Sequence, residues 1–71
     1  MNEDVLINPD ARIRIISEML GKKKDAIVYM NEQIADTSLE DWYIEEFVAA
    51  KEEVTREILF LEAEFNHLSN I

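Results

Sequence analysis

LEDWYIEEFVAAKEEVTREILFLEAEFNHLSNI, residues 39–71, runs to the end of the chain without a Gly or Pro. Leu39, Tyr43, Phe47, Ala50, Val54, Ile58, Leu61, Phe65 and Leu68 recur in it at steps of three and four. On a helix of 3.6 residues per turn these positions fall within about a third of the circumference, the pattern of an amphipathic helix. Upstream stands Asp36-Thr37-Ser38-Leu39-Glu40-Asp41. Thr37 with Glu40, or Ser38 with Asp41, has the spacing of a capping box, which marks a helix start.

Further upstream, Ile13, Ile16, Leu20, Ile27, Met30 and Ile34 form a second stripe at helical spacing, with Met19 and Ala26 beside it. Lys23 occupies the position that would complete the stripe between Leu20 and Ile27. Gly21 lies two residues before it, and Gly costs roughly 1 kcal/mol in a helix interior. Two readings follow. The helix runs on with Lys23 snorkelling outward, or it breaks at Gly21 and restarts near Asp25. The apolar phase resumes unchanged after the interruption, which favours the unbroken helix. Asn8-Pro9-Asp10 supplies its start: an Asn cap, Pro at the first helical position and an acid in the first turn. Ile7 is placed to staple onto that turn, and Val5-Leu6-Ile7 is the apolar part of an extended lead-in, residues 1–8.

The expected fold is all-α: an antiparallel two-helix hairpin, helices about 9–36 and 38–69, forming a single domain over 9–71. At 1.5 Å per residue the helices are ~40 and ~45 Å long. Near-equal lengths and a connection of two or three residues require the antiparallel arrangement. Pairing across the turn then sets Lys22, Lys23 and Lys24 opposite Lys51 to Glu53, and Arg12 and Arg14 near Glu62 and Glu64.

Composition limits function. Seventy-one residues make one small domain, which rarely gains more than ~3–5 kcal/mol from its core unaided. With no Cys, disulfides, thiolate metal sites and cysteine nucleophiles are excluded. Met1-Asn2-Glu3-Asp4 is acidic where a signal peptide would be basic, and no apolar run is long enough for a membrane span. The expected location is therefore the cytoplasm, or an assembly made in the cytosol. Sixteen acidic and seven basic residues give a net charge of −9, which disfavours nucleic-acid phosphates and anionic membranes as partners. The expected partner is the chain itself or another protein, a basic one included.

The apolar surface exceeds what one hairpin seam uses. Ile15, Val28 and Tyr29 stand off the first stripe, and Trp42, Ala49 and Phe60 lie ~100° or more from the centre of the second, with Ile44, Val48 and Leu59 on its other flank. Broad stripes that merely wrap around one another and around the Val5-Leu6-Ile7 lead-in are one explanation. The alternative, which the amount of surplus surface favours, is an interface through Ile15, Tyr29, Trp42, Ala49 and Phe60, building a helical bundle.

An acidic row, Glu46, Glu53, Glu57 and Glu64, borders the second stripe, while Asp41, Glu45 and Glu52 line its far side. Most such rows are solvated faces with helix salt bridges. The functional alternative uses Glu45, Glu46, Glu52 and Glu53 to mimic nucleic-acid phosphates or dock on a basic protein. Glu64-Phe65-Asn66-His67 has E-x-x-H spacing and resembles the motif of ferritin-like di-iron sites, which two-helix encapsulated ferritins build between subunits. The resemblance implies further Glu ligands on the facing helix, where Asp10 lies opposite Glu64 instead. Glu64 and His67 are thus weak metal candidates, and a His favourably placed near a helix C-terminus is the simpler account. No cofactor is expected. One His and no Gly-rich loop or His/Asp/Ser constellation argue against an enzyme. The expected function is that of a small acidic structural or interaction protein that self-associates or packs into a larger assembly, a phage or virion particle among them. An acidic inhibitor of a basic target is the alternative, and a metal site at an oligomer interface a remote one.

Overall fold

The computed structural model describes residues 9–70 and consists of two helices packed against each other. Helix α1 spans Pro9–Ile34, 26 residues, and helix α2 spans Asp41–Ser69, 29 residues. Pro9 opens α1 and Asp10 supplies the first-turn acid, as the Asn8-Pro9-Asp10 signal requires. The Asn8 cap, the Ile7 staple and the lead-in lie outside the described residues.

Helix α1 runs unbroken through Gly21. The favourable i→i−4 ladder on both sides and the common apolar phase outweigh the entropic cost of one glycine. The turn departs from expectation. It takes six residues, 35–40, where two or three were anticipated, so α1 ends earlier and α2 starts later than 36 and 38. A short reversal generally uses a residue with positive φ, most often Gly. The only Gly of the chain is Gly21, and no described residue has positive φ. The backbone therefore turns more gradually, through bonds from the Ala35 amide to the Asn31 carbonyl and from the Leu39 amide to the Asp36 carbonyl.

The capping box does not form either. Glu40 is the N-cap, with extended backbone (φ −73°, ψ 152°) and no side-chain cap bond. Ser38 is otherwise engaged: its amide donates to Asp36 Oδ1 at 2.9 Å and its hydroxyl to the same oxygen at 2.6 Å. Asx turns of this kind compete directly with capping. The Glu40 carboxylate accepts the Trp42 indole N–H at 2.7 Å.

The two stripes meet along a single seam, and among the described residues only Ile16 and Leu20 are buried, at 3 % and 9 % exposure. Extents of 52 × 24 × 14 Å describe a body about one helix thick. Its radius of gyration is 16.2 Å, against about 11 Å for a compact globule of this length. The hairpin has a seam but no interior.

Candidate interaction face

Ion pairs fix how the helices face each other. Arg12 pairs with Glu64, Lys23 with Glu57 at 2.8 Å and Lys24 with Glu62 at 3.3 Å. The expected pairing of Arg12 with the Glu62/Glu64 region holds. Lys23 and Lys24, however, bypass Lys51 to Glu53 and reach residues nearer the C-terminus of α2. For Lys23 the offset is about one turn, as the tilt of helical side chains toward the N-terminus of their own helix produces, whereas Glu62, the partner of Lys24, lies nine residues past Glu53, an offset that tilt alone does not explain. In an antiparallel pair, Lys23 leans toward the C-terminal end of α2, while Glu57 leans back to meet it. All three pairs are partly exposed, so each contributes at most a fraction of a kcal/mol, on the order of 0.2–1.

A helix pair one layer thick has two broad sides, and its surplus apolar residues are unequally shared between them. One side carries Ile15, Met19 and Tyr29 from α1 and Trp42, Tyr43 and Phe60 from α2, all exposed. Near the turn it holds a run of aromatic rings. Tyr29 meets Phe47 edge-on at 6.0 Å between centroids, Phe47 meets Tyr43 at 5.0 Å, and Tyr43 meets Trp42 at 5.5 Å. Beyond it, Met19 and Phe60 line a shallow groove with Lys23, Glu57 and Leu61. Phe60 is the most exposed large hydrophobic described, at 74 %. The opposite side has Val28, Val48 and Leu59 exposed, with a groove whose floor is Leu20 and Phe65 and whose walls include Ser17, Lys24, Glu62 and Asn66.

The five residues singled out from the sequence, Ile15, Tyr29, Trp42, Ala49 and Phe60, are all exposed. Helix geometry and the antiparallel register set all five on the aromatic side. Met19 and Tyr43 join them, though both had been assigned to the stripes or their margins. Met19 follows Ile15 by four residues, a signal available in the sequence. Tyr43 sits in the first turn of α2, past the point where α1 ends at Ile34, and so has no facing helix to cover it.

The acidic candidates do not form one patch. Glu46 borders the aromatic side, beside Trp42 and Tyr43, whereas Glu52 lines a groove with Val48, Lys51 and Thr55 on the other side. Glu45, Glu46, Glu52 and Glu53 are all exposed. Of the wider row, Glu57 and Glu64 are neutralised by α1. Glu64 is thereby committed to Arg12, His67 is exposed in the last turn of α2, and no group of three or more His, Asp or Glu among the described residues is arranged to hold a metal ion. Among these residues no helix is long and apolar enough to cross a membrane.

In the turn, the two bonds from the Ser38 hydroxyl and amide hold the Asp36 carboxyl below its usual pKa. Comparison with protein-family models, with curated proteins and with solved structures finds no match.

Proposed function

We propose that this chain is an interaction subunit, working in the cytosol or in an assembly made there, that covers its aromatic side with further copies of itself. The observation that carries this reading is the balance of apolar surface. Two residues are buried among those described, while six large hydrophobics stand exposed on one side of a single-layer hairpin. An isolated core of this size gives little stability, and oligomerisation is a usual remedy for chains this short. Covering such a side gains about 25 cal/mol for each Å² of apolar surface removed from water. Size-exclusion chromatography with light scattering and sedimentation velocity, across low to tens of micromolar, should show an oligomer that dissociates on dilution. A monodisperse monomer throughout that range would end the proposal.

A second reading keeps some support from Glu45, Glu46, Glu52 and Glu53, which are all exposed. On that reading the chain docks on a basic protein, as an inhibitor or phosphate mimic. The division of these carboxylates between two sides of α2 weakens it. Binding to a basic partner that survives reversal of all four charges would remove it altogether.

A further inference from the structure

We infer that residues 3–7 fold back over the groove opposite the aromatic side as an extended strap, with Val5 and Ile7 on its apolar floor and Glu3 beside Lys24. This docking is within one chain and stands apart from the self-association proposed above, which uses the aromatic side.

The groove is bounded along α1 by Ser17, Gly21 and Lys24 and along α2 by Glu62 and Asn66, over Leu20 and Phe65. Its volume is about 600 Å³. Ile13, half-buried and one turn before Ser17, carries apolar surface from the groove toward Pro9. The groove therefore opens toward the end of the hairpin where the chain enters α1.

The length of the preceding segment matches this path. An extended chain advances about 3.3 Å per residue and a helix about 1.5 Å. Counted back from Pro9, Ile7 reaches about 7 Å, level with Ile13, and Val5 about 13 Å, between Ser17 and Leu20. Glu3 reaches about 20 Å, just short of Lys24, whose side chain leans back toward it. Alternation along an extended segment puts Glu3, Val5 and Ile7 on one side and Leu6 on the other. Two β-branched residues, which favour extended backbone, thus meet the floor while an acid meets the groove's cation. Gly21 stands at the rim, level with Asp4 and outside the apolar contacts.

An extended segment also needs partners for its backbone N–H and C=O groups. The Ser17 hydroxyl and the Asn66 amide stand on the two walls, and neither side chain is hydrogen-bonded to another described residue. Between them they offer donors and acceptors to the strap.

The aromatic side, though within the same reach, suits the segment less. The Arg12–Glu64 pair stands on that side near Pro9, and Lys23 with Glu57 lines the smaller groove beyond it, of about 260 Å³. A segment laid there would strip water from two ion pairs and bring its own acids to cations already neutralised. Lys24 is more open than Lys23, and its pair with Glu62 is looser, 3.3 Å against 2.8 Å.

The test is disulfide trapping in the full chain, which has no Cys of its own. Val5→Cys is combined in turn with Asn66→Cys and with Met19→Cys, the latter at a similar reach on the aromatic side. In a thiol–disulfide buffer the bridge between positions 5 and 66 should form within one chain, at least about tenfold faster than that between 5 and 19. A faster bridge between 5 and 19, no bridge in either variant, or a bridge only between chains overturns the inference. A monomer that forms the bridge between 5 and 66 supports it and overturns only self-association.

Thermal unfolding at matched chain concentration gives an independent readout. Val5→Ser with Ile7→Ser should lower the Tm by at least about 5 °C, and Leu6→Ser by less than about 2 °C, with helical content unchanged by circular dichroism. No loss from the pair, or a larger loss from Leu6→Ser, overturns the strap.

Discussion

Gly21→Ala should stabilise the protein by about 1 kcal/mol, the difference between glycine and alanine in a helix interior. The site is well suited to the measurement. Gly21 lies in the middle of α1 with φ in the ordinary negative range, and a Cβ built on it meets nothing within 4 Å. No clash therefore subtracts from the gain, which comes chiefly from the smaller conformational freedom of the unfolded chain. In a domain of this size 1 kcal/mol moves the Tm by about 4–8 °C. The assay is thermal and urea unfolding followed by circular dichroism, with wild type and variant at the same chain concentration because association raises apparent stability. Gly21 borders the groove with Ser17 and Lys24, away from the aromatic side, so self-association should stay within about threefold. A variant that melts at or below the wild-type temperature would refute the reasoning. It would mean that the helix bends at Gly21 or that another chain approaches it closely.

Ile16→Ala removes most of a side chain that is 3 % exposed; the expected loss is at the low end of the usual range, about 2–3 kcal/mol, because a one-layer structure collapses easily around the gap. That is enough to leave much of the dilute chain unfolded by circular dichroism, and a loss under ~1 kcal/mol would contradict the placement of the seam. Lys23→Leu fills the interruption in the α1 stripe while removing a partly exposed ion pair with Glu57, so urea unfolding should show no net destabilisation beyond about 0.5 kcal/mol; a loss above ~1.5 would show that the pair matters more than the stripe. The Asp36 carboxyl should titrate below the ordinary Asp value of about 3.9 in a carbon-detected NMR titration, with the Ser38 amide moving in step. Its folded pKa is depressed, so the turn's support is present above the unfolded value and fades as pH falls through the folded one; in Asp36→Asn this acid dependence should disappear.

The sequence made the helices legible because each carries a stripe of its own and the stripe of α1 keeps its phase across Lys23 and Gly21. The turn was less legible. Whether Ser38 caps α2 or binds back to Asp36 is a competition between two local hydrogen bonds of similar quality, and spacing does not decide it. Counting along two antiparallel helices misses the partner of Lys23 by about a turn, because it ignores the tilt of the side chains, and misses that of Lys24, Glu62, by more than two turns. The exposure of Ile15, Tyr29, Trp42, Ala49 and Phe60 could be read from each helix alone. Their sharing one side could not, because it depends on how the two helices are turned toward each other.

Being one helix thick has a consequence for hydrogen exchange. In a compact domain the slowest amides lie behind several layers of side chains and report the global unfolding free energy. Among the described residues an amide has at most one neighbouring helix between it and water, so the lone hairpin offers protection no greater than its own marginal stability. Protection beyond that level, mapped amide by amide, would be an imprint of whatever lies against the chain. Slow exchange along one edge of each helix would then trace the outline of the missing layer.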